Sequence, residues 1–139
     1  MLPNHSIMKR IPYGHETQAM FAREPGGRVA IFVHGFGGAA ISTWKEMHQM
    51  LPLENEAAGW DIVFYGYRST KGRAQPNADL LRQFITSLTG SRAAGVASLV
   101  KKKAERELVA YRDILIIAHS LGAPIARQAV LDAIRSEDA

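Results

Sequence analysis

Apolar runs separated by glycine- and proline-rich loops dominate the pattern of this chain. Three of the runs are short, rich in β-branched residues and apolar at nearly every position, over residues 28–33, 61–65 and 113–118. A short continuous apolar run between turn signals is typical of a strand that is covered on both faces. A weaker run over residues 18–23 predicts a further short strand.

Between these strands the apolar positions recur at helical spacing. We predict helices over residues 44–51, 78–88, 94–111 and 124–135. Thr43 and Glu46 have the spacing of a capping box for the first helix, and Asn77 is a suitable N-cap for the second. Strands that alternate with helices predict an α/β fold, with a mostly parallel sheet flanked by helices.

Length and composition indicate one domain over residues 1–139, with residues 1–17 as a mobile N-terminal segment. The N-terminus has no continuous apolar block, and no apolar run is long enough to span a membrane. These features favour a cytoplasmic location. The chain contains no cysteine, which excludes disulfides, thiolate catalysis and cysteine-based metal sites.

The formal net charge is +4, and part of it lies in the triplet Lys101–Lys103. A basic triplet can attract phosphates or an anionic membrane surface. A solvated helix face is the better interpretation, because Glu105 and Glu107 lie nearby and no aromatic residues alternate with the lysines. We therefore expect no nucleic-acid partner.

The candidate chemistry lies where the last apolar strand meets the last helix, at Ser120 in the pattern A-x-S-x-G over residues 118–122. A sharp strand–turn–helix connection exposes a serine hydroxyl above the sheet, and crowding there requires small residues two positions before and after it. The helix N-terminus would stabilise negative charge developing beside the serine. Helix capping alone is an alternative role for Ser120, but a cap does not need those small neighbours.

A glycine-rich loop, His34–Gly38, follows the strand over residues 28–33. Parallel strands end at the same edge of a sheet, so this loop is expected beside Ser120. The loop lacks the lysine and Ser/Thr of a phosphate-binding P-loop and does not fit G-x-G-x-x-G. Its backbone suits an oxyanion hole, with the N–H groups of Phe36 and Leu121 as donors.

These segments resemble the α/β-hydrolase superfamily, and within it the serine esterase and lipase-like branch that includes GPI-inositol-deacylase-like proteins. The resemblance is carried by VAIFVHGFGG at 29–38, TW at 43–44, DIVFYGYRS at 61–69 and ILIIAHSLGAPIARQAVL at 114–131. It implies that Ser120 is the nucleophile and that Phe36 and Leu121 form the oxyanion hole. The sharp strand–turn–helix connection at Ser120 is called the elbow in this family. The resemblance also implies that five residues hold the elbow and the glycine-rich loop in position: His34, Gly35, Gly37, His119 and Gly122. It implies no metal and no cofactor.

In that family an acid and a histidine follow the nucleophile in chain order. No histidine follows Ser120 here, and the later acids are Asp132, inside the last predicted helix, and Glu137 and Asp138 near the end. The other histidines are His5, His15 and His48. The chain thus resembles only the N-terminal portion of an ester hydrolase, ending after the elbow helix. We expect weak or no turnover of a small-molecule or lipid ester by this chain alone.

Two other functions stay open on the sequence. A non-catalytic module could bind an acyl or anionic ligand with Tyr65, Tyr67 and Arg68, although packing at a strand end also explains both tyrosines. Such a module could instead pair through an open sheet edge with a second copy or a partner chain. Alternatively, another chain could supply the missing acid and histidine in trans.

Overall fold

A computed structural model describes residues 3–24, 26–35, 37–68, 74–88, 111–120 and 122–137. They form an α/β-type fold around a five-stranded mixed sheet in the order β1-β2-β4-β3-β5. The strands are β1 (Lys9–Arg10), β2 (Gln18–Met20), β3 (Arg28–Val33), β4 (Trp60–Tyr65) and β5 (Asp113–Ala118). The three apolar runs are therefore confirmed as β3, β4 and β5.

The sheet is only in part the parallel one predicted. Strand β3 pairs in parallel with β4 and β5, whereas β2 pairs antiparallel with β1 and β4. Only residues 11–17 connect β1 to β2, which is too short for the crossover that parallel neighbours require. The two N-terminal strands therefore extend the parallel part of the sheet as an antiparallel edge.

The helices are α1 (Met47–Met50), α2 (Ala74–Ser87) and α3 (Gly122–Glu137), with 3₁₀ turns at Ser42–Trp44, Leu51–Leu53 and Asn55–Ala57. The single helix predicted over residues 44–51 is wrong, because this segment is split into turns and one short α-helix. Helix α1 ends at Met50, and Pro52 follows inside a 3₁₀ turn. The capping box is not formed either, since Thr43 Oγ1 accepts from the N–H of Ala39 at 2.9 Å.

Helices α2 and α3 are each longer than predicted. Asn77 is buried inside α2, which begins at Ala74, so its assignment as the N-cap is wrong. Of the helix predicted over residues 94–111, only Tyr111 is described. Residues 94–110, which include the Lys101–Lys103 triplet, lie outside the described part of the chain. Tyr111 is not helical, and its N–H donates to the carbonyl of Leu88 at 3.2 Å.

Apolar side chains cover both faces of the sheet. One face packs against α2 and α3, and the other packs against the segment that contains Trp44 and α1. Residues 3–17, for which the sequence suggests mobility, contribute β1 and the buried side chains of His5, Ile11 and Thr17. Among the described residues, none of the helices is long and apolar enough to cross a membrane.

Candidate active site at the C-terminal edge of the sheet

Strands β3, β4 and β5 end side by side, because Val33 is in register with both Tyr65 and Ala118. The segments that follow these strands therefore share one edge, which we call the C-terminal edge. His34 and Gly35 follow β3, Gly66 and Tyr67 follow β4, and His119 and Ser120 follow β5. The structure thus brings the predicted elbow and the predicted glycine-rich loop together.

Ser120 lies in the turn between β5 and α3, and its side chain is exposed. Its φ angle is 54°, in the left-handed region that costs a non-glycine residue about 1–2 kcal/mol. The turn is closed by hydrogen bonds from Gly122 N–H to the His119 carbonyl and from Ala123 N–H to the Ser120 carbonyl, each 3.0 Å. Backbone strain at an exposed nucleophilic side chain is typical of functional sites.

The capping alternative for Ser120 has no support in the described part of the chain. There, no backbone N–H of α3 donates to the Ser120 hydroxyl. The hydroxyl is thus exposed at the C-terminal edge and available to a ligand.

Gly122 lets the start of α3 approach the end of β3 closely. A Cβ at this position would lie 2.5 Å from the carbonyl oxygen of His34 and 2.6 Å from that of Val33. Both oxygens belong to backbone and cannot turn aside as a flexible side chain could. The glycine two positions after Ser120 is therefore required by packing, as the elbow pattern predicts.

The strain at Ser120 can be measured with a pair of substitutions. We expect Ser120→Gly to be more stable than Ser120→Ala by about 1 kcal/mol, because glycine adopts a positive φ without the left-handed penalty. Urea denaturation of both variants gives the difference in the free energy of unfolding. If the alanine variant were as stable as the glycine variant, Ser120 would not be strained.

His34 is buried and both of its ring nitrogens have partners. Nδ1 lies 2.9 Å from the Gly35 carbonyl oxygen, and Nε2 lies 3.2 Å from the backbone nitrogen of Tyr67. Since the Tyr67 N–H can only donate, these contacts assign the neutral tautomer with its proton on Nδ1. Burial lowers the pKa of His34, and the hydrogen bond to Gly35 opposes this in part.

Tyr67 attaches the loop after β4 to the loop after β3. Its hydroxyl donates to the His34 carbonyl at 2.7 Å, and the two rings stack at 4.2 Å with an interplanar angle of 6°. Burial raises the pKa of Tyr67, which keeps the hydroxyl protonated as a donor. His34 therefore fixes the position of the loop and does not act as a general base.

In the glycine-rich loop, short contacts join Gly38 to Gly35 and to Thr43. The Gly38 N–H donates to the Gly35 carbonyl at 3.0 Å, and a Cβ on Gly38 would clash with Thr43 Oγ1. Gly37 is exposed with a φ of 73°. The proposed oxyanion donors Phe36 and Leu121 lie outside the described residues, so their placement stays a prediction.

His119 and Tyr65 have different environments at this edge. The exposed His119 lies edge-on to Trp44, with ring centroids 6.1 Å apart. Its backbone N–H donates to the Val33 carbonyl and so continues the hydrogen bonding between β5 and β3. Tyr65 is fully buried and stacks on Phe84, and burial raises its pKa. Packing therefore accounts for Tyr65 and Tyr67. Of the three residues suggested for binding an acyl or anionic ligand, only Arg68 is exposed.

Most of the other candidate acids and bases form hydrogen bonds with groups other than Ser120. His5 Nε2 lies 2.7 Å from the Trp60 carbonyl, at the start of β4 and thus at the opposite edge of the sheet. His48 Nδ1 lies 3.2 Å from the Lys45 carbonyl. Asp132 accepts from Gln128 inside α3 at 2.8 Å. The side chains of Glu137 and Asp138 lie outside the described part of the chain.

His15 and Glu16 are two titratable residues near this edge that sequence reasoning did not place. The His15 N–H donates to the Gly66 carbonyl at 2.8 Å, and its Nε2 lies 3.8 Å from the Glu16 carboxylate. Strand β3 separates β4 from β5, which puts the ends of β4 and β5 about 10 Å apart. The pair therefore lies at the same edge as Ser120 but beyond direct contact with it.

No protein-family model matches this chain, and the comparison with curated proteins gives no match. Within the described residues, no group of three or more His, Asp or Glu side chains is placed to hold a metal ion. We therefore infer the function from the geometry of the C-terminal edge.

Proposed function

We propose that this chain carries the nucleophile of an α/β-hydrolase-like serine hydrolase that cleaves carboxylic esters. The observation that carries the proposal is the backbone at Ser120. This exposed serine lies in the turn between an apolar strand and a helix, and its own φ angle is 54°. The first residue of that helix, Gly122, fits closely against the Val33 and His34 carbonyls. A serine that only fills a loop needs neither the strain nor the close approach.

In the proposed reaction, Ser120 Oγ attacks the ester carbonyl carbon and its proton passes to a base. The tetrahedral intermediate carries its negative charge on the former carbonyl oxygen, which the N–H groups of Phe36 and Leu121 would stabilise. The N-terminus of α3 adds a favourable dipole at the same place. The C–O bond to the alcohol then breaks as the protonated base gives its proton to the leaving oxygen. Water attacks the acyl-enzyme with loss of a proton to the base, and the base returns that proton to Ser120 Oγ as the acid is released.

The proton acceptor limits the rate in this proposal. His34, the histidine buried at this edge, has both ring nitrogens engaged, and no described histidine ring forms a hydrogen bond with the Ser120 hydroxyl. A serine without a base is a poor nucleophile. We therefore expect weak activity from the chain alone, with only the residual contribution of the oxyanion hole and substrate binding.

Covalent labelling with a fluorophosphonate probe tests the proposal. We expect one slow adduct on the tryptic peptide that contains Ser120, accelerated by added imidazole, which can accept the hydroxyl proton. Ser120→Ala should abolish the adduct, whereas Ser42→Ala, which removes another exposed serine, should leave it unchanged. Labelling that persists in Ser120→Ala, or that spreads over several serines, would rule out Ser120 as the nucleophile.

A second candidate function is that of an interaction module, and one observation favours it. Strand β5 is apolar over residues 114–118, yet it lies at the edge of the described sheet, with Leu115 47% exposed. An exposed apolar edge strand favours pairing with another polypeptide. This function does not need Ser120 to react.

A further inference from the structure

Strand β5 presents an unpaired row of backbone groups within the described part of the chain. The His119 N–H donates to the Val33 carbonyl at 2.9 Å, which fixes the side of the strand that faces β3. Because backbone groups alternate along a strand, the N–H and C=O groups of Ile114, Ile116 and Ala118 point to the opposite side. None of these three residues pairs with another described strand on that side.

Apolar grooves lie beside β5 on both faces of the sheet. One, of about 290 Å³, is lined by Leu115 and Ile117 together with Phe32 and Leu51. The other, of about 210 Å³, is lined by Ile114 and Ile116 together with residues of α2 and α3, among them Ile134, which is 52% exposed. An added strand with apolar side chains on both faces would therefore extend the apolar wall of each groove beyond β5.

We propose that β5 pairs antiparallel with β5 of a second copy of this chain, about a two-fold axis at Ile116. Antiparallel pairing about an axis perpendicular to the sheet keeps each side chain on its own face. The free backbone groups then put Ile116 opposite Ile116 and Ile114 opposite Ala118, with about six backbone hydrogen bonds across the new ladder. Leu115 of each copy lies opposite Ile117 of the other.

The ends of the paired strands have complementary chemistry. The same register puts Asp113 of one copy opposite His119 of the other, at both ends of the ladder. A carboxylate opposite an imidazole N–H is a favourable cross-strand pair, whereas like charges in such positions repel. Residues 114–118 also lack the lysines and prolines that block edge strands against association. The strand therefore complements itself, which favours a second copy as the occupant.

Cysteine crosslinking tests the register, because the chain has no cysteine of its own. In Ile116→Cys the two Cα atoms would be about 5.5 Å apart, within the range for a disulfide. In Ile114→Cys they would be about 14 Å apart, so that variant is the matched control. We expect oxidation to link Ile116→Cys rapidly, Ile114→Cys not at all, and a mixture of Ile114→Cys with Ala118→Cys again rapidly. Equal crosslinking of the two single variants would overturn the register.

Sedimentation of the unmodified chain tests the association itself. We expect a species of twice 15.3 kDa that dissociates on dilution. Leu115→Lys should weaken the dimer at least tenfold, whereas Ile7→Lys should not, because Ile7 is 78% exposed and precedes β1 at the other edge of the sheet. Ser120→Ala should not change the dimer, so this test is separate from that of the hydrolase. A monomer at all concentrations, as expected if β5 binds a different strand, would overturn the proposal.

Discussion

Gly122→Ala is expected to lower the free energy of unfolding by about 3 kcal/mol, at the upper end of the usual cost of overpacking. The added Cβ would lie 2.5 Å and 2.6 Å from the carbonyl oxygens of His34 and Val33. These oxygens belong to the end of β3 and its loop, which the Tyr67 hydroxyl also holds in place. The clash can be relieved only if α3 moves away from the sheet. Urea denaturation measures the loss.

Gly37→Ala is the matched control for that substitution. Gly37 has a φ of 73°, but a Cβ there would meet no atom within 4 Å. Its replacement therefore adds only left-handed strain, about 1 kcal/mol. If Gly122→Ala cost no more than Gly37→Ala, α3 would not be packed against β3 as described. A folded Gly122→Ala protein should also react more slowly with the fluorophosphonate, since any movement of α3 displaces Ser120.

The core of this site could be predicted from the sequence because local patterns encode it. Residues 28–33 and 113–118 form β3 and β5 with the predicted bounds, since each is a continuous apolar run between turns. The elbow at Ser120 follows from the same local pattern, with alanine and glycine on either side. Strand order then brings the His34 loop to the elbow, because both strands are parallel neighbours.

The parts that could not be predicted depend on contacts distant in sequence. His15 reaches the C-terminal edge because β2 pairs with β4, and nothing near residue 15 indicates that pairing. Asn77 has the side chain of an N-cap, but α2 starts at Ala74 and buries it. Local propensity for helix was likewise overridden at residues 44–51, where the Trp44 ring packs against Phe32 and the preceding Thr43 hydroxyl accepts from the Ala39 N–H.

His34→Phe is expected to reduce stability at pH 8 by about 2 kcal/mol, the cost of leaving a buried N–H without an acceptor. Phenylalanine retains a ring that can stack on Tyr67 but cannot accept from the Tyr67 N–H. The loop after β3 would lose one of its two connections to the loop after β4. His48→Phe is the control, because His48 is only partly buried and its ring hydrogen-bonds only to the Lys45 carbonyl among the described residues.

The same variant also predicts how the stability that His34 contributes depends on pH. Burial holds the pKa of His34 below its usual 6.5 in the folded protein, whereas the unfolded chain binds a proton as the pH falls through 6.5. The stability that neutral His34 contributes is therefore complete above pH 6.5 and is lost as the pH falls below it. The gap in unfolding free energy between wild type and His34→Phe should narrow over that interval. Because both proteins carry the same carboxylates, the gap isolates this histidine, and a constant or widening gap would mean that His34 is not held neutral.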